Sequence, residues 1–317
     1  MFKNCSIKAV RVNSDAYHGQ KAERGSPEYT MSPSSIRAFI GCPSRWRAGY
    51  EPPDSEAKDF GNLLDCLVLT PEQFDKRYAI KPSTYKDAKT GEDKPWNGNG
   101  NVCKAWIEEH AEFEVVSRDG LANAQSAANR LSKDETIASF LKASERQVHV
   151  IGQWHDKATG LIIPVQCLID CVPSAKSEFQ KCLGDLKTTR NAAQRPFGRW
   201  CYTAGYHVQA AFDIALYTAA TGEDRTDWIF LLCENYAPWE TGRRMLGQDL
   251  LQIGTQTFEH ALSLYAQCLA TGNWIGYDAP EEFSVINAEP WQEFSALEEK
   301  LEHDQSTPPA NADDLIP

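Results

Sequence analysis

Lys181-Cys-Leu-Gly-Asp-Leu-Lys-Thr-Thr189 sets a carboxylate and an ammonium two residues apart at the end of an apolar run. In a strand, residues i and i+2 share a face, so Asp185 and Lys187 point one way and Leu186 the other. Toward the N-terminus, Leu161-Ile-Ile-Pro-Val-Gln-Cys-Leu-Ile-Asp170 reads as a second strand that ends in an acid, with Gln166, Leu168 and Asp170 on one face. A hairpin across 173–179 brings Asp170 toward Asp185. Two carboxylates about 4 Å apart repel by roughly 4 kcal/mol at an effective dielectric near 20, so something positive belongs between them. A hard divalent ion with oxygen ligands, Mg²⁺ or Mn²⁺, meets that need and leaves Lys187 beside an attacking water. Such a set suits hydrolysis of a phosphodiester. Taken alone, an Asp-x-Lys triplet on a strand is usually a solvated charge pair, and it gains weight only from its context.

From Asp59 the apolar residues Phe60, Leu63, Leu64, Leu67 and Val68 fall at i, i+3, i+4, i+7 and i+8, the spacing of an amphipathic helix. Asp65 lies roughly 130° from the middle of that stripe, on the flank where Gly61 leaves room for a close approach. Thr70-Pro-Glu-Gln73 follows as a capping box, with Leu69 and Phe74 as its hydrophobic staple. Ser32-Pro33 marks an earlier helix start, with Ile36, Phe39, Ile40 and Trp46 as its stripe and Pro52-Pro53 as its stop. The spacing predicts a polar loop over 82–101, helices over 102–143, and a strand from Gln147 to Trp154 before the turn Asp156–Gly160. After the opening motif comes a helix over Tyr202–Ala220. Its core face is Val208, Ala211, Phe212, Ala215 and Leu216, and the adjoining stripe is Tyr206, Gln209, Asp213 and Tyr217. Asp227–Glu234 is almost wholly apolar and reads as a central strand, and a long helix spans Gly247–Ala270. Residues 1–31 read as an irregular lead-in, 32–304 as a single α+β domain with a helical N-terminal half, and 305–317 as a disordered tail.

The chain of 317 residues is 42 % hydrophobic and 10 % aromatic, ample for a packed core. Lys+Arg 32 against Asp+Glu 44 leaves a net charge of −12, which excludes a protein coated in positive charge. A basic groove on an acidic body stays open, and Lys181, Arg190, Arg195 and Arg199, with Arg37, Arg45 and Arg47, are its candidates. Thr188 and Thr189 add hydroxyls suited to phosphate oxygens. The ten cysteines are scattered, without a C-x-x-C pair, as reduced core residues would be. The N-terminus lacks an apolar signal core and no run is long enough to span a membrane, so the expected location is the cytoplasm, with no membrane partner.

Met31-Ser-Pro-Ser-Ser-Ile-Arg-Ala-Phe39, Phe60-Gly-Asn-Leu-Leu-Asp65 through Asp75, Ile169-Asp170, Asp185-Leu-Lys-Thr-Thr189, Gly205-Tyr-His-Val-Gln-Ala-Ala211 and Trp274-Ile-Gly-Tyr277 occur in one order and spacing. In these the chain resembles the RecE-type phage and prophage exonucleases, a branch of the PD-(D/E)XK nuclease superfamily. The resemblance implies a mixed central sheet flanked by helices and a metal-dependent nuclease site made of Asp170, Asp185, the backbone carbonyl of Leu186, and Lys187. It implies a further metal ligand at Asp65, where the commonest pattern has histidine. Gln209 matches a residue taken to touch DNA or brace the site, and Tyr206, Thr188 and Arg190 join it as DNA-contact or bracing candidates. The activity implied is exonucleolytic, from double-stranded DNA ends in the 5′-to-3′ direction, in phage recombination and in a bacterial host cell. Relatives form rings around DNA and work with a single-strand annealing protein, so a homo-oligomer and that partner are expected. An endonuclease of the same superfamily and a catalytically silent DNA-binding protein are the rival expectations.

Overall fold

The computed structural model describes residues 1–12, 17, 19, 22–51, 55–277 and 283. In chain order its strands are β1 (Phe2–Ala9), β2 (Tyr78–Ile80), β3 (Thr84–Lys86), β4 (Asp93–Pro95), β5 (Glu114–Val116), β6 (Ser144–His155), β7 (Ile162–Pro173), β8 (Cys182–Thr189), β9 (Asp227–Glu234) and β10 (Thr241–Met245). The helices are α1 (Pro33–Gly41), α2 (Pro43–Arg47), α3 (Glu56–Leu69), α4 (Phe74–Arg77), α5 (Asn101–Glu109), α6 (Arg118–Lys133), α7 (Glu135–Ala143), α8 (Gln194–Thr203), α9 (Tyr206–Thr221) and α10 (Gln248–Thr271). Met1–Trp274 forms one compact unit; of the second, Ile275–Pro317, only 275–277 and 283 are described.

The main sheet has six strands in the order β1-β6-β7-β8-β9-β10. All neighbours run antiparallel except β8 and β9, which are parallel from Cys182↔Asp227 to Thr189↔Glu234. Parallel neighbours need a crossover, and α8 with α9 supplies it. Helices cover both faces. Against one pack Phe39 of α1, Phe212 of α9 and Phe258 of α10, in a cluster that includes Val150, Ile169, Leu183 and Phe230. Against the other pack Leu64 of α3, Leu131 of α6 and Phe140 of α7, with Cys171, Leu186 and Leu231. Burial on both faces is why β9 is apolar at nearly every position. The result is an α+β fold with a mixed central sheet flanked by helices, as the sequence implied.

Some expectations need correction. Residues 1–31 are not all an irregular lead-in, because Phe2–Ala9 is edge strand β1, paired with β6 from Phe2↔Trp154 to Ala9↔His149. Register shifts between Lys3 and Ser6 and between Ile7 and Ala9 break the period-2 alternation by which the strand would have been legible. Thr70 makes no side-chain cap, and Pro71–Gln73 instead form a 3₁₀ turn that runs into α4. Leu69 and Phe74 enter separate apolar clusters rather than a staple. The stretch 82–101 is not all loop, since β3 and β4 pair as a small hairpin. Gly205, at φ 70°, divides the helix expected from 202 into α8 and α9, and Trp46 sits on its own helix α2. β9 lies one strand from the edge rather than at the centre. The tail 305–317 lies outside the described residues.

Candidate active site

β7 and β8 are in register at Cys171↔Gly184, so one step along Asp170 stands opposite Asp185. Gly184 lets the Phe140 ring of α7 pack directly on the sheet at this point, since a Cβ in its place would fall 2.5 Å from that ring. Beyond this point the ladder opens. The Leu186 N–H donates to Asp170 Oδ2 at 2.9 Å, so a carboxylate takes the place of a ladder carbonyl. From the other side Gln147 Nε2 donates to Asp170 Oδ1 at 3.0 Å. Gln147 is held at φ 50°, a left-handed conformation that costs energy for a non-glycine residue.

Asp185 is 2 % exposed. Its Oδ1 accepts from Lys187 Nζ at 2.9 Å and from Gln209 Nε2 at 3.1 Å. Its Oδ2 lies 2.7 Å from the same ammonium but out of line for a hydrogen bond, and it is a buried oxygen without a hydrogen-bond partner. Tyr206 and Gln209, three apart on α9, reach the site together: the Tyr206 ring lies 5.4 Å from Lys187 Nζ. Burial works to lower the lysine pKa, but Asp185 and Asp170 together outweigh it and hold the ammonium above its ordinary value.

α3 begins at Ser55, whose side chain accepts from the Lys58 N–H, and brings Asp65 to the same place. Gly61 is the point of contact with β8, since a Cβ there would sit 3.1 Å from Thr188 Oγ1. Asp65, Asp170, Asp185, Lys187, Gln147 and Gln209 all line a single cavity of about 220 Å³. Burial, followed by the charge of Asp170, pushes the Asp65 carboxyl well above its usual range. Burial, followed by the charge of Asp185, pushes Asp170 up to about 7. Acids crowded in this way are strained when ionised, and a cation relieves the strain.

Among the described residues no three His, Cys, Asp or Glu side chains are gathered as a ready-made metal cage. The donor chemistry nevertheless fits a hard divalent cation: Asp185 offers an orphaned buried oxygen, and Asp65 makes no hydrogen bond among the described residues.

Other expected residues fall less centrally. Leu186 meets the site through its N–H, while its side chain is buried in the core on the α3 side. Thr188 faces α3 at Gly61. Arg190 is exposed and away from the cavity wall, its carbonyl accepting from the Tyr236 hydroxyl. Tyr217 is buried and donates to Glu223 Oε2, so it is not a surface contact. Asp213 has no exposed surface and neither of its oxygens has a hydrogen-bond partner; burial, then the charge of Asp185, raises its carboxyl well above the usual range. The sequence reading missed Gln147, whose only signal is its place across β6 from Asp170, between the pairs Arg146↔Cys171 and Val148↔Ile169. It also missed Arg77, which lines the cavity while paired to Glu114 at 2.9 Å.

No curated protein matches the sequence. Among solved structures, the chain is similar to a candidate exonuclease from Eubacterium rectale, with a TM-score of 0.55 at 14 % identity over 91 % of this chain and 99 % of that chain. That likeness is one of fold. The Scheffersomyces stipitis protein Rai1 aligns with a TM-score of 0.25 at 9 % identity over 75 % of this chain and 66 % of that one, too loosely to carry an argument. Residues 32–280 match the family described as a PDDEXK-like domain of unknown function (DUF3799), and the chain belongs to that family.

Proposed function

We propose that this chain is a divalent-metal-dependent exodeoxyribonuclease of the RecE type, hydrolysing phosphodiesters from double-stranded DNA ends in the 5′-to-3′ direction in phage recombination. The observation that carries the reading is the convergence of Asp65, Asp170, Asp185 and Lys187, from three separate elements, on one cavity. Membership of a PDDEXK-like family supports it.

Asp65, Asp170 and Asp185, with the Leu186 carbonyl, would hold Mg²⁺ or Mn²⁺. When bound, such an ion offsets the repulsion among the acids and polarises the phosphodiester. Gln209 and Lys187 fix the rotamer of Asp185, and Gln147 with the Leu186 N–H fixes Asp170, so both acids are preorganised. Lys187, held charged, orients the attacking water and stabilises charge gathering on the phosphate oxygens. Tyr206 shields one side of that ammonium. Arg37 on the cavity wall offsets the negative charge of the DNA backbone. In this reading the enzyme works in the bacterial cytoplasm as a ring-shaped homo-oligomer beside an annealing protein.

The test uses blunt linear duplex labelled at either end and a closed circle of the same sequence, each with Mg²⁺ or Mn²⁺. Early release of the 5′ label with an intact circle is expected. Early release of the 3′ label overturns the polarity, and cutting of the circle replaces the reading with an endonuclease. No cutting of either substrate replaces it with a silent DNA-binding protein.

A further inference from the structure

We infer that the chain carries a second nucleic-acid site, a cleft on α8 that takes an unpaired DNA strand with a base in its apolar floor and phosphates on its arginine rim. This deepens the nuclease reading and rests on it for the choice of DNA. The cleft is a cavity of about 420 Å³ between α8 and the β9–β10 edge. Its floor includes Phe197 and Phe230, with ring centroids 5.3 Å apart, and Leu246. Its rim carries Arg195, Arg199 and Arg244.

Arg195 and Arg199 stand four apart on one side of the helix, both are exposed, and neither guanidinium makes a hydrogen bond or ion pair among the described residues. On a chain of net charge −12, two unpaired cations beside a third are a local excess that the protein's own carboxylates leave unmatched, which complements a polyanion. Trp200, outside the cleft wall on the same helix, is 53 % exposed, whereas Tyr202 has one ring face stacked on His207 at 5.0 Å. Aromatic faces beside guanidinium groups serve bases whose own faces are free, which a stacked duplex does not offer and a single strand does. The position suits a strand passing the candidate active site: Phe197 lies 6.5 Å from Tyr206, whose ring stands 5.4 Å from Lys187 Nζ.

The test is fluorescence anisotropy in chelator, where no cleavage intervenes, with an oligothymidine, an abasic oligomer of equal length and polyglutamate as probes. Arg195→Ala/Arg199→Ala removes the rim. Gly198→Phe adds a ring to the cleft wall that Gly198 lines, where a Cβ meets nothing within 4 Å. The double variant should bind oligothymidine at least tenfold more weakly, with a log–log salt slope shallower by about 1.4, for two phosphates on a single strand. Gly198→Phe should weaken oligothymidine about tenfold and leave the abasic oligomer unchanged. Circular dichroism of both variants should match the parent. Unchanged oligothymidine affinity in either variant overturns the inference, as does an equal loss for the abasic oligomer in Gly198→Phe. Polyglutamate binding as tight as oligothymidine does the same, in favour of an acidic protein segment. Because binding is read without metal, loss of this site and loss of the cleavage reading are separate results: the parent can cut without it, or bind the strand without cutting.

Discussion

Asp170→Asn tests the physics of the site without DNA. Asp170 moves from 3.8 to about 7 on folding, because burial and the neighbouring Asp185 disfavour its charge. Below about pH 4 both folded and unfolded chains hold the proton, and the group costs nothing. Between about 4 and 7 the unfolded chain ionises first, so stability falls as pH rises, and above about 7 the loss is complete. Three pKa units correspond to about 4 kcal/mol as a ceiling. Asparagine keeps an oxygen for the Leu186 N–H, and a flip of the Gln147 amide restores its other contact, so the neutral variant loses about 1 kcal/mol of hydrogen bonding. In chelator, urea unfolding should therefore find the variant about 3 kcal/mol more stable than the parent at pH 8 and within about 1 kcal/mol of it at pH 5. Mn²⁺ at a hundred times its dissociation constant should add about 2.7 kcal/mol to the parent at pH 8 and far less to the variant. A variant less stable than the parent by the same amount at both pH values would refute the reasoning.

Gln209→Ala leaves Asp185 without its second donor and should lower metal affinity or turnover 10–100-fold, read by Mn²⁺ titration and by nucleotide release. Asp65→His should keep part of the Mn²⁺-supported activity and less of that with Mg²⁺, whereas Asp65→Ala should lose both, since imidazole suits the softer ion. Gly184→Ala drives a methyl into Phe140 and should cost about 1–3 kcal/mol in urea unfolding.

The apolar strands and the long helices were legible because their periodicity matches their burial. Ser32 is the N-cap of α1, and α10 runs between Gly247 and Gly272 as the glycines indicate. Asp185 and Lys187 could be read as partners because an i, i+2 spacing in a strand fixes a shared direction. Asp170 could be joined to them because a hairpin leaves few registers. Gln147 could not be found in this way. Its role depends on strand β6 lying beside β7 and on a left-handed φ that its residue type does not signal. β1 was hidden by its own irregular register, and the arginine-rimmed cleft on α8 exists only once β9 and β10 stand beside that helix. Asp213 was placed on a stripe beside the core face of its helix and proves wholly buried, since α9 is enclosed on more sides than an amphipathic pattern assumes.

The most direct measurement of the central claim is nucleotide release from linear duplex DNA by the parent chain and by Lys187→Ala, each with Mg²⁺, with Mn²⁺ and in chelator. The account predicts release by the parent only when a divalent ion is present, and a loss on the order of 10²–10⁴ in Lys187→Ala. Equal release by both proteins, or release by the parent in chelator, would contradict it.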